Sequence, residues 1–315
     1  MKKDVFIGID TSNYTTSLAI CDINGEILEN YKALLPVKQG ERGIRQSDAV
    51  FAHVKNFQKI TDLIKKKHSE YDIKAIGYSK YPRDAEGSYM PCFLVGEAVA
   101  QTVAALYNLE AFAFSHQAGH IEAAIYSSKA EPKEEFIAFH VSGGTTEIVR
   151  AVRAENGFKI NIIGGSDDLH AGQAIDRIGV YMGLSFPCGK ELERLATENN
   201  KKIPSYKTNV NGYHCNLSGL ENLATKLYDK EQDKHLVSAY VLDFIGKSLE
   251  FITENLRKEY PQQKIIFAGG VMSNSIIQTR LSKKFDNVYF AAPEFSADNG
   301  AGIALLTRRK YLERG

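Results

Sequence analysis

A chain of 315 residues with 43% hydrophobic and 24% charged residues has the make-up of a globular protein and is long enough for two domains, which excludes a disordered one. The formal net charge of +1 gives no global pull toward nucleic acid or a membrane surface. No apolar run approaches the roughly 20 residues of a bilayer span, and Met1-Lys2-Lys3-Asp4 runs straight into a strand with no signal-peptide pattern, so a cytoplasmic protein with no membrane partner is expected.

Residues 4–35 read as three strands: apolar Val5 to Ile9, Thr-rich Thr15 to Ile20, and Glu26 to Leu35 after the hairpin turn Asn24-Gly25. Helical spacing of Val50, Phe51, Val54, Phe57, Ile60, Leu63 and Ile64 predicts a helix over 47–67. A strand at Ala75 to Tyr78, a helix near 91–107 and a short apolar strand from Ala111 to Phe114 follow. The next segment, Ser115-His116-Gln117-Ala118-Gly119-His120, opens a further helix. Positions i and i+4 share a helix face, so His116 and His120 can reach one ion, though a metal needs more than two ligands.

The chain then repeats itself. Residues 136–146 align with residues 6–16 at a constant offset of 130, with Phe, Ile, Ser, Thr and Thr identical, and Asn156-Gly157 gives the second copy its own hairpin turn. The order strand–turn–strand–turn–strand–helix is repeated as well, with the third strand at Phe158 to Ile163 and the helix at 171–183, which argues for an internal duplication. Helices near 189–197, 219–228 and 235–258 follow. The chain ends with a strand at Lys264 to Ala268, a helix from about Ser273, a strand at Val288 to Ala291 and a helix from about Asn299. Two α/β domains with a ligand cleft between them are expected.

Three turns carry ligand-binding chemistry. Val141-Ser142-Gly143-Gly144-Thr145-Thr146 offers backbone N–H groups and hydroxyls to a phosphate. Ala268-Gly269-Gly270-Val271-Met272-Ser273-Asn274 ends a buried strand, and its Ser273 and Asn274 are candidates for a helix cap or a ligand contact. Asp298-Asn299-Gly300 opens the last helix, with Asp298 a capping carboxylate or a metal ligand. Cys21, Cys92, Cys188 and Cys215 are widely spaced, include no CxxC pair and read as reduced, packed thiols. The basic runs Lys65-Lys66-Lys67, Lys201-Lys202 and Arg308-Arg309-Lys310 read as solvated faces.

Taken together, the segments Gly8-Ile9-Asp10-Thr11-Ser12, His116-Gln117-Ala118-Gly119-His120, Val141 to Thr145, Ala174-Ile175-Asp176-Arg177 with Phe186-Pro187-Cys188-Gly189, Leu217 to Leu220, Gly269 to Asn274 and Ala297-Asp298-Asn299 resemble, in order, the TsaD family of tRNA threonylcarbamoyladenosine transferases. The resemblance implies the α/β architecture of actin, Hsp70 and the sugar kinases (ASKHA), with two RNase-H-like lobes: residues 1–122 joined by the helix at about 299–315, and residues 123–298. It implies one divalent metal, Fe or Zn, held by His116, His120 and Asp298. His140 stands where some members supply a fourth contact from a tyrosine. It implies ATP or threonylcarbamoyl-AMP as ligand, held by His140, Val141, Ser142, Gly143 and Gly144, with the ribose near Asp176 and Gly189 and the adenine near Asn274. The implied acceptor is N6 of a tRNA adenosine, and family partner subunits are implied too. The residues themselves assign no catalytic acid or base.

The sequence departs from the family at the first loop, where Glu-Thr-Ser-Cys-Asp-Glu-Thr is usual and Asp10-Thr11-Ser12-Asn13-Tyr14-Thr15-Thr16 stands. An apolar, Gly-rich turn becomes Tyr81-Pro82-Arg83-Asp84-Ala85-Glu86-Gly87-Ser88, and Cys188 replaces a usual glycine. These changes favour a divergent paralogue with its ligand loops kept and its acceptor side altered. A nucleotide- and metal-binding protein without tRNA turnover, and a transferase with another acceptor, are the competing readings. A zinc peptidase is disfavoured because Gln117, where a helical peptidase has its glutamate base, cannot act as one. A sugar kinase shares the architecture, but the histidine pair is no kinase feature.

Overall fold

The structure is a computed structural model that describes residues 2–12, 14–36, 44–155 and 157–314. Asn13 of the first loop and Asn156 of the second hairpin turn lie outside the described residues. The chain divides into two compact units, one of Met1–Tyr126, Arg153–Lys159 and Ala297–Gly315, the other of Ser127–Val152 and Ile160–Ser296.

The first unit runs β1 (Lys3–Thr11), β2 (Thr15–Asp22), β3 (Ile27–Leu34), α1 (Gln46–Lys65), a 3-10 turn, β4 (Tyr71–Tyr81), α2 (Phe93–Tyr107), β5 (Glu110–Ser115) and α3 (His116–Ser128). In the second unit the order is β6 (Phe136–Val141), β7 (Thr146–Ala154), β8 (Gly157–Ser166), α4 (Ala171–Tyr181), α5 (Gly189–Thr197), β9 (Asn209–Asn211), β10 (His214–Asn216), α6 (Ser218–Glu231) and α7 (Lys234–Glu259). It continues with β11 (Ile265–Ala268), α8 (Ser275–Lys284), β12 (Val288–Phe290) and α9 (Pro293–Ser296), after which α10 (Ala301–Leu312) closes the chain in the first unit.

The first sheet has the order β3-β2-β1-β4-β5 and the second the order β12-β11-β6-β7-β8-β10-β9. The duplication holds at the level of single residue pairs. In the β1–β2 hairpin Phe6 faces Cys21 and Thr11 faces Thr16; in the β6–β7 hairpin Phe136 faces Ala151 and Val141 faces Thr146, each 130 positions on. A one-residue slip would turn every side chain to the wrong face, so the shared register carries the shared pattern.

β1 is central and covered on both faces, which is why its interior is apolar throughout. Val5, Ile7 and Ile9 pack with Leu18, Ile20, Phe57, Ile60 and Ala100, and each such buried aliphatic contributes roughly 1.5–3 kcal/mol. The alternate residues Phe6, Gly8 and Asp10 face α10: Phe6 meets Tyr311 at 5.4 Å between ring centroids, and a Cβ at Gly8 would lie 2.1 Å from the Ala304 nitrogen.

α10 also lies against α3. A Cβ on Gly302 would sit 1.8 Å from the Gly119 carbonyl oxygen, a backbone atom that cannot swing aside. Gly302→Ala is therefore expected to cost more than about 3 kcal/mol, read as a lower urea midpoint at unchanged slope. Gly219→Ala, whose added Cβ would meet nothing within 4 Å, is the matched control and should be close to neutral. Equal midpoints in the two variants would show that the α3–α10 contact is not tight.

In the second unit α7 is buried along most of its length, with Val237, Val241, Ile245, Leu249 and Ile252 packed on Ile137, Phe139, Ile265 and Phe267. The helix expected from about Ser273 starts at Ser275: residues Gly270–Ser273 form a 3-10 turn, and the Asn274 side chain caps α8, accepting from the Ile276 and Ile277 nitrogens at 3.1 Å each. The short β9, β10 and α9 are absent from the sequence reading, since three or four residues carry too little periodicity to register. Among the described residues no helix is long and apolar enough to cross a membrane.

Candidate metal centre and nucleotide loops

β5 ends at Ser115, and the chain turns directly into α3. The Ser115 hydroxyl caps that turn, accepting from the Ala118 nitrogen at 3.1 Å while donating to the Asp84 carboxylate. His116 and His120 follow on one helical face, with ring centroids 4.3 Å apart. The close approach of Gly302 to Gly119 brings the segment before α10 to the same place. Asn299 takes the capping role at the start of α10, its side-chain oxygen accepting from the Ala301 nitrogen at 3.1 Å, and Asp298 is left to face the histidines.

The result is a tight cluster in the first unit. His120 Nε2 lies 2.9 Å from His116 Nε2 and 3.1 Å from Asp298 Oδ1, and His116 Nε2 lies 3.5 Å from the same oxygen. Ligand atoms on a tetrahedral ion with bonds of 2.0–2.1 Å stand about 3.4 Å apart, so the three atoms already have close to the spacing one ion imposes. All three offer ligand atoms within 4.8 Å of one another. Two imidazoles and one carboxylate suit Zn and Fe alike.

Two residues that the sequence reading had not assigned a role hold these ligands in place. Asp10, 1% exposed at the end of β1, takes the Nδ1 side of His116 at 2.8 Å, which turns Nε2 toward the cluster. Ser12 donates its hydroxyl to Asp298 Oδ2 at 2.7 Å and turns Oδ1 to the histidines. The even positions of β1 face α10, so the parity of the strand alone put Asp10 on the same side as the cluster.

The electrostatics are those of a cation site. Burial works against charge on His116, but the Asp10 carboxylate, backed by Asp298, outweighs it and raises the His116 pKa to about 10. Burial likewise opposes the charge on Asp298, yet the hydrogen bonds of His116 and His120 pull its carboxyl well below the usual range. Without an ion, His116 therefore carries a proton at neutral pH where an ion would bind. Ion uptake should release about one proton between pH 7 and 9, and affinity should rise about tenfold per pH unit in that window. Calorimetry of the ion binding to metal-free protein, in buffers of differing ionisation enthalpy, reads the proton count; a count near zero would contradict this protonation state.

The second unit contains the Gly-rich turns. Ser142 N donates to the Thr145 oxygen at 2.7 Å, closing the turn after β6, and a Cβ at Gly143 or Gly144 would meet nothing within 4 Å. α4 starts against this turn: the Ala171 nitrogen donates to Thr146 Oγ1 at 2.9 Å, and Gly172 has no room for a Cβ beside Gly143. Gly269, at φ +98°, packs against Val141 in the same way, which places the turns after β6 and β11 side by side. Open backbone at Gly143, Gly144 and Gly270 is a surface that can take an anionic group. Asp176 on α4 accepts from the Cys188 nitrogen at 2.8 Å and so fixes the turn leading to Gly189, while burial pushes its carboxyl up. His140 lies on β6, opposite Glu147 and Ala268. Cys188 and Cys215 are buried thiols, pushed up by that burial to about 11 and about 12, which matches their expected packing role.

A family described as TsaD, tRNA N6-adenosine threonylcarbamoyltransferase, matches the chain over residues 26–305. The chain belongs to the TsaD family. A relative from Riemerella anatipestifer named tRNA N6-adenosine threonylcarbamoyltransferase is 28% identical over 334 residues, covering 100% of this chain and 95% of that protein. A protein of the same name from Buchnera aphidicola subsp. Schizaphis graminum is 28% identical over 323 residues, covering 98% of this chain and 93% of its own length. Among solved structures, T. kodakarensis HypF aligns at a TM-score of 0.61 and 13% identity, over 99% of this chain and 48% of that one. At that identity it shows the fold alone, which is the α/β ASKHA architecture expected of a TsaD protein. TsaD proteins are transferases named for a tRNA substrate, which removes the peptidase and sugar-kinase readings as descriptions of the family.

Proposed function

We propose that this protein transfers a threonylcarbamoyl group from threonylcarbamoyl-AMP to N6 of a tRNA adenosine, with one divalent ion, Fe or Zn, at His116, His120 and Asp298. The observation that carries the reading is the convergence of those three ligand atoms, with His116 held by Asp10 and Asp298 by Ser12, in a chain of the TsaD family. In the reaction the adenosine amine attacks the carbamoyl carbon, the carbon–oxygen bond to the AMP phosphate breaks, AMP leaves as its anion, and the amine gives up one proton. A bound ion supplies Lewis acidity and a fixed positive charge for the carbamate.

The residues of the chain do the rest. Asp10 and Ser12 keep the His116 and Asp298 ligand atoms aimed without reorganisation at the moment of reaction. Val141, Ser142, Gly143 and Gly144 bind the phosphate that departs with AMP, Asp176 and Gly189 the ribose, and Asn274 the adenine. Asn274 already spends its side-chain oxygen on the α8 cap, so its amide NH2 is the group left for the base.

Incubation with threonylcarbamoyl-AMP, unmodified tRNA and the family's partner subunits, followed by nucleoside mass spectrometry, tests the reading. Threonylcarbamoyladenosine above a no-enzyme control is expected; none at any partner concentration would overturn it. A second reading, a nucleotide- and metal-binding paralogue with weak turnover, is supported by Tyr14, 41% exposed where the family carries an acid.

A further inference from the structure

The first unit has a second feature that the metal centre does not use. The edge strand β5 and the C-terminal turn of α10 border an open depression of about 520 Å³, whose lining includes Lys80, Tyr81, Glu110, Phe112, Lys310 and Arg314. We propose that this depression binds a backbone phosphate of the acceptor RNA. The inference rests on the transfer reading above, since it names where that acceptor docks.

The cations are built into place. Arg314 Nη1 is 2.8 Å from Glu110, and its guanidinium carbon is 5.0 Å from the Phe112 ring centroid. Lys310 Nζ stands 5.7 Å from the same ring, so one buried aromatic holds two cations by cation–π contact. Lys80 reaches the depression from β4, with its Nζ 3.2 Å from Glu97. Three cations line the depression, two of them held by carboxylates, Arg314 by Glu110 and Lys80 by Glu97. Cations preordered against an aromatic ring suit the phosphates of a nucleic-acid backbone.

Its position fits the reaction. β5 runs from the depression at Glu110–Ala113 straight to Ser115, the residue before the first metal ligand. Phe112 and His116 are four residues apart, about 13 Å along a strand at roughly 3.3 Å per residue. At about 3.4 Å per stacked nucleotide, a phosphate at the depression lies within about four nucleotides of a base at the metal centre. Tyr81 and Pro82 connect the two places: Tyr81 pairs with Ser115, and the Pro82 oxygen accepts from the Gln117 nitrogen at 3.0 Å.

The test compares wild type with Lys80→Gln, Lys310→Gln and Arg314→Gln combined, in the full chain with its partner subunits. Metal content and threonylcarbamoyl-AMP affinity should be unchanged, which also reports that the unit is folded. The tRNA Kd is expected to rise about tenfold at 0.15 M salt, and the slope of log affinity against log salt to fall by about 1 to 2. Should the triple variant lose metal, the single variants Lys80→Gln and Lys310→Gln carry the same comparison with smaller shifts. Unchanged tRNA affinity and slope in a metal-replete variant would overturn the docking site. So would inorganic phosphate binding to wild type, but not to the variant, without competing with tRNA, because the depression would then serve a free anion. Wild type that binds tRNA in this way but makes no modified adenosine would sink the transfer reading and leave the docking site standing; wild type that binds no tRNA would sink both.

Discussion

Replacing His116 and His120 together by Ala is expected to leave the protein with less than about a tenth of the wild-type metal, because a single carboxylate cannot hold a divalent ion against water. The second-sphere contact adds a cost. Asp10 is 1% exposed, its Oδ2 has no hydrogen-bond partner among the described residues, and its Oδ1 meets the His116 ring. Deleting that ring leaves a buried carboxylate alone, and breaking such a pair costs about 3–5 kcal/mol. The double variant should therefore be less stable as well as metal-free, and the two effects need separating. Adding Asp10→Asn removes the stranded charge and should recover much of the stability without recovering metal. Asp298→Asn, which keeps both histidines and the Asp10 contact, should lose metal at a smaller cost in stability than the double-histidine variant. Elemental analysis of the three purified variants decides the matter: metal at wild-type level in the double-histidine variant would place the ion elsewhere.

The parts of the fold that follow a long period were legible in the sequence. The duplicated hairpin could be read at an offset of 130 because both copies keep the same alternation, and the strand registers repeat it pair for pair. α5 runs over Gly189–Thr197, the span its sequence pattern predicts, since a glycine and a charged face bound it on both sides. What sequence could not show was which polar residue would meet which. Asp10 is one acidic residue among many until the sheet places it at the end of β1, on the side toward α10, beside a helix that starts 106 positions later. The choice between Asp298 and Asn299 as the helix cap is likewise a matter of where the two side chains point, and the packing of Gly302 on Gly119 decides it. The basic end of α10 reads as a solvated face in sequence because Phe112, the ring that gathers its cations, comes from a strand two hundred residues away. Side-chain roles that depend on such distant partners leave no local trace.

The largest kinetic effect is expected at the first loop. Tyr14 and Thr15 stand where the resemblance to the family implies an acidic pair, and the structure gives the two positions different environments. Tyr14 is 41% exposed, whereas Thr15 is 4% exposed on β2, paired with Leu34. Neither a phenol nor a hydroxyl supplies a negative charge near neutral pH to orient the acceptor or take its proton. The Gly-rich turns proposed for the adenylate, with open backbone at Gly143, Gly144 and Gly270, are untouched by the change, and ligand binding and transition-state stabilisation are separate quantities. With the same partners and the same tRNA, transfer is therefore expected to run about 100-fold slower than in a family enzyme that has the acidic pair, at threonylcarbamoyl-AMP affinity within about threefold. Restoring the acids singly should divide the effect. Tyr14→Asp puts a carboxylate in solvent contact and is expected to raise turnover at little cost in stability. Thr15→Glu buries one beside β3 and should cost about 2 kcal/mol or more, outweighing any kinetic gain. Time courses of modified adenosine for wild type, the two variants and the acidic-pair enzyme, with nucleotide affinity measured in parallel, decide between these outcomes. Turnover by wild type equal to that of the acidic-pair enzyme would mean that the first-loop carboxylates are dispensable and that the divergence lies elsewhere.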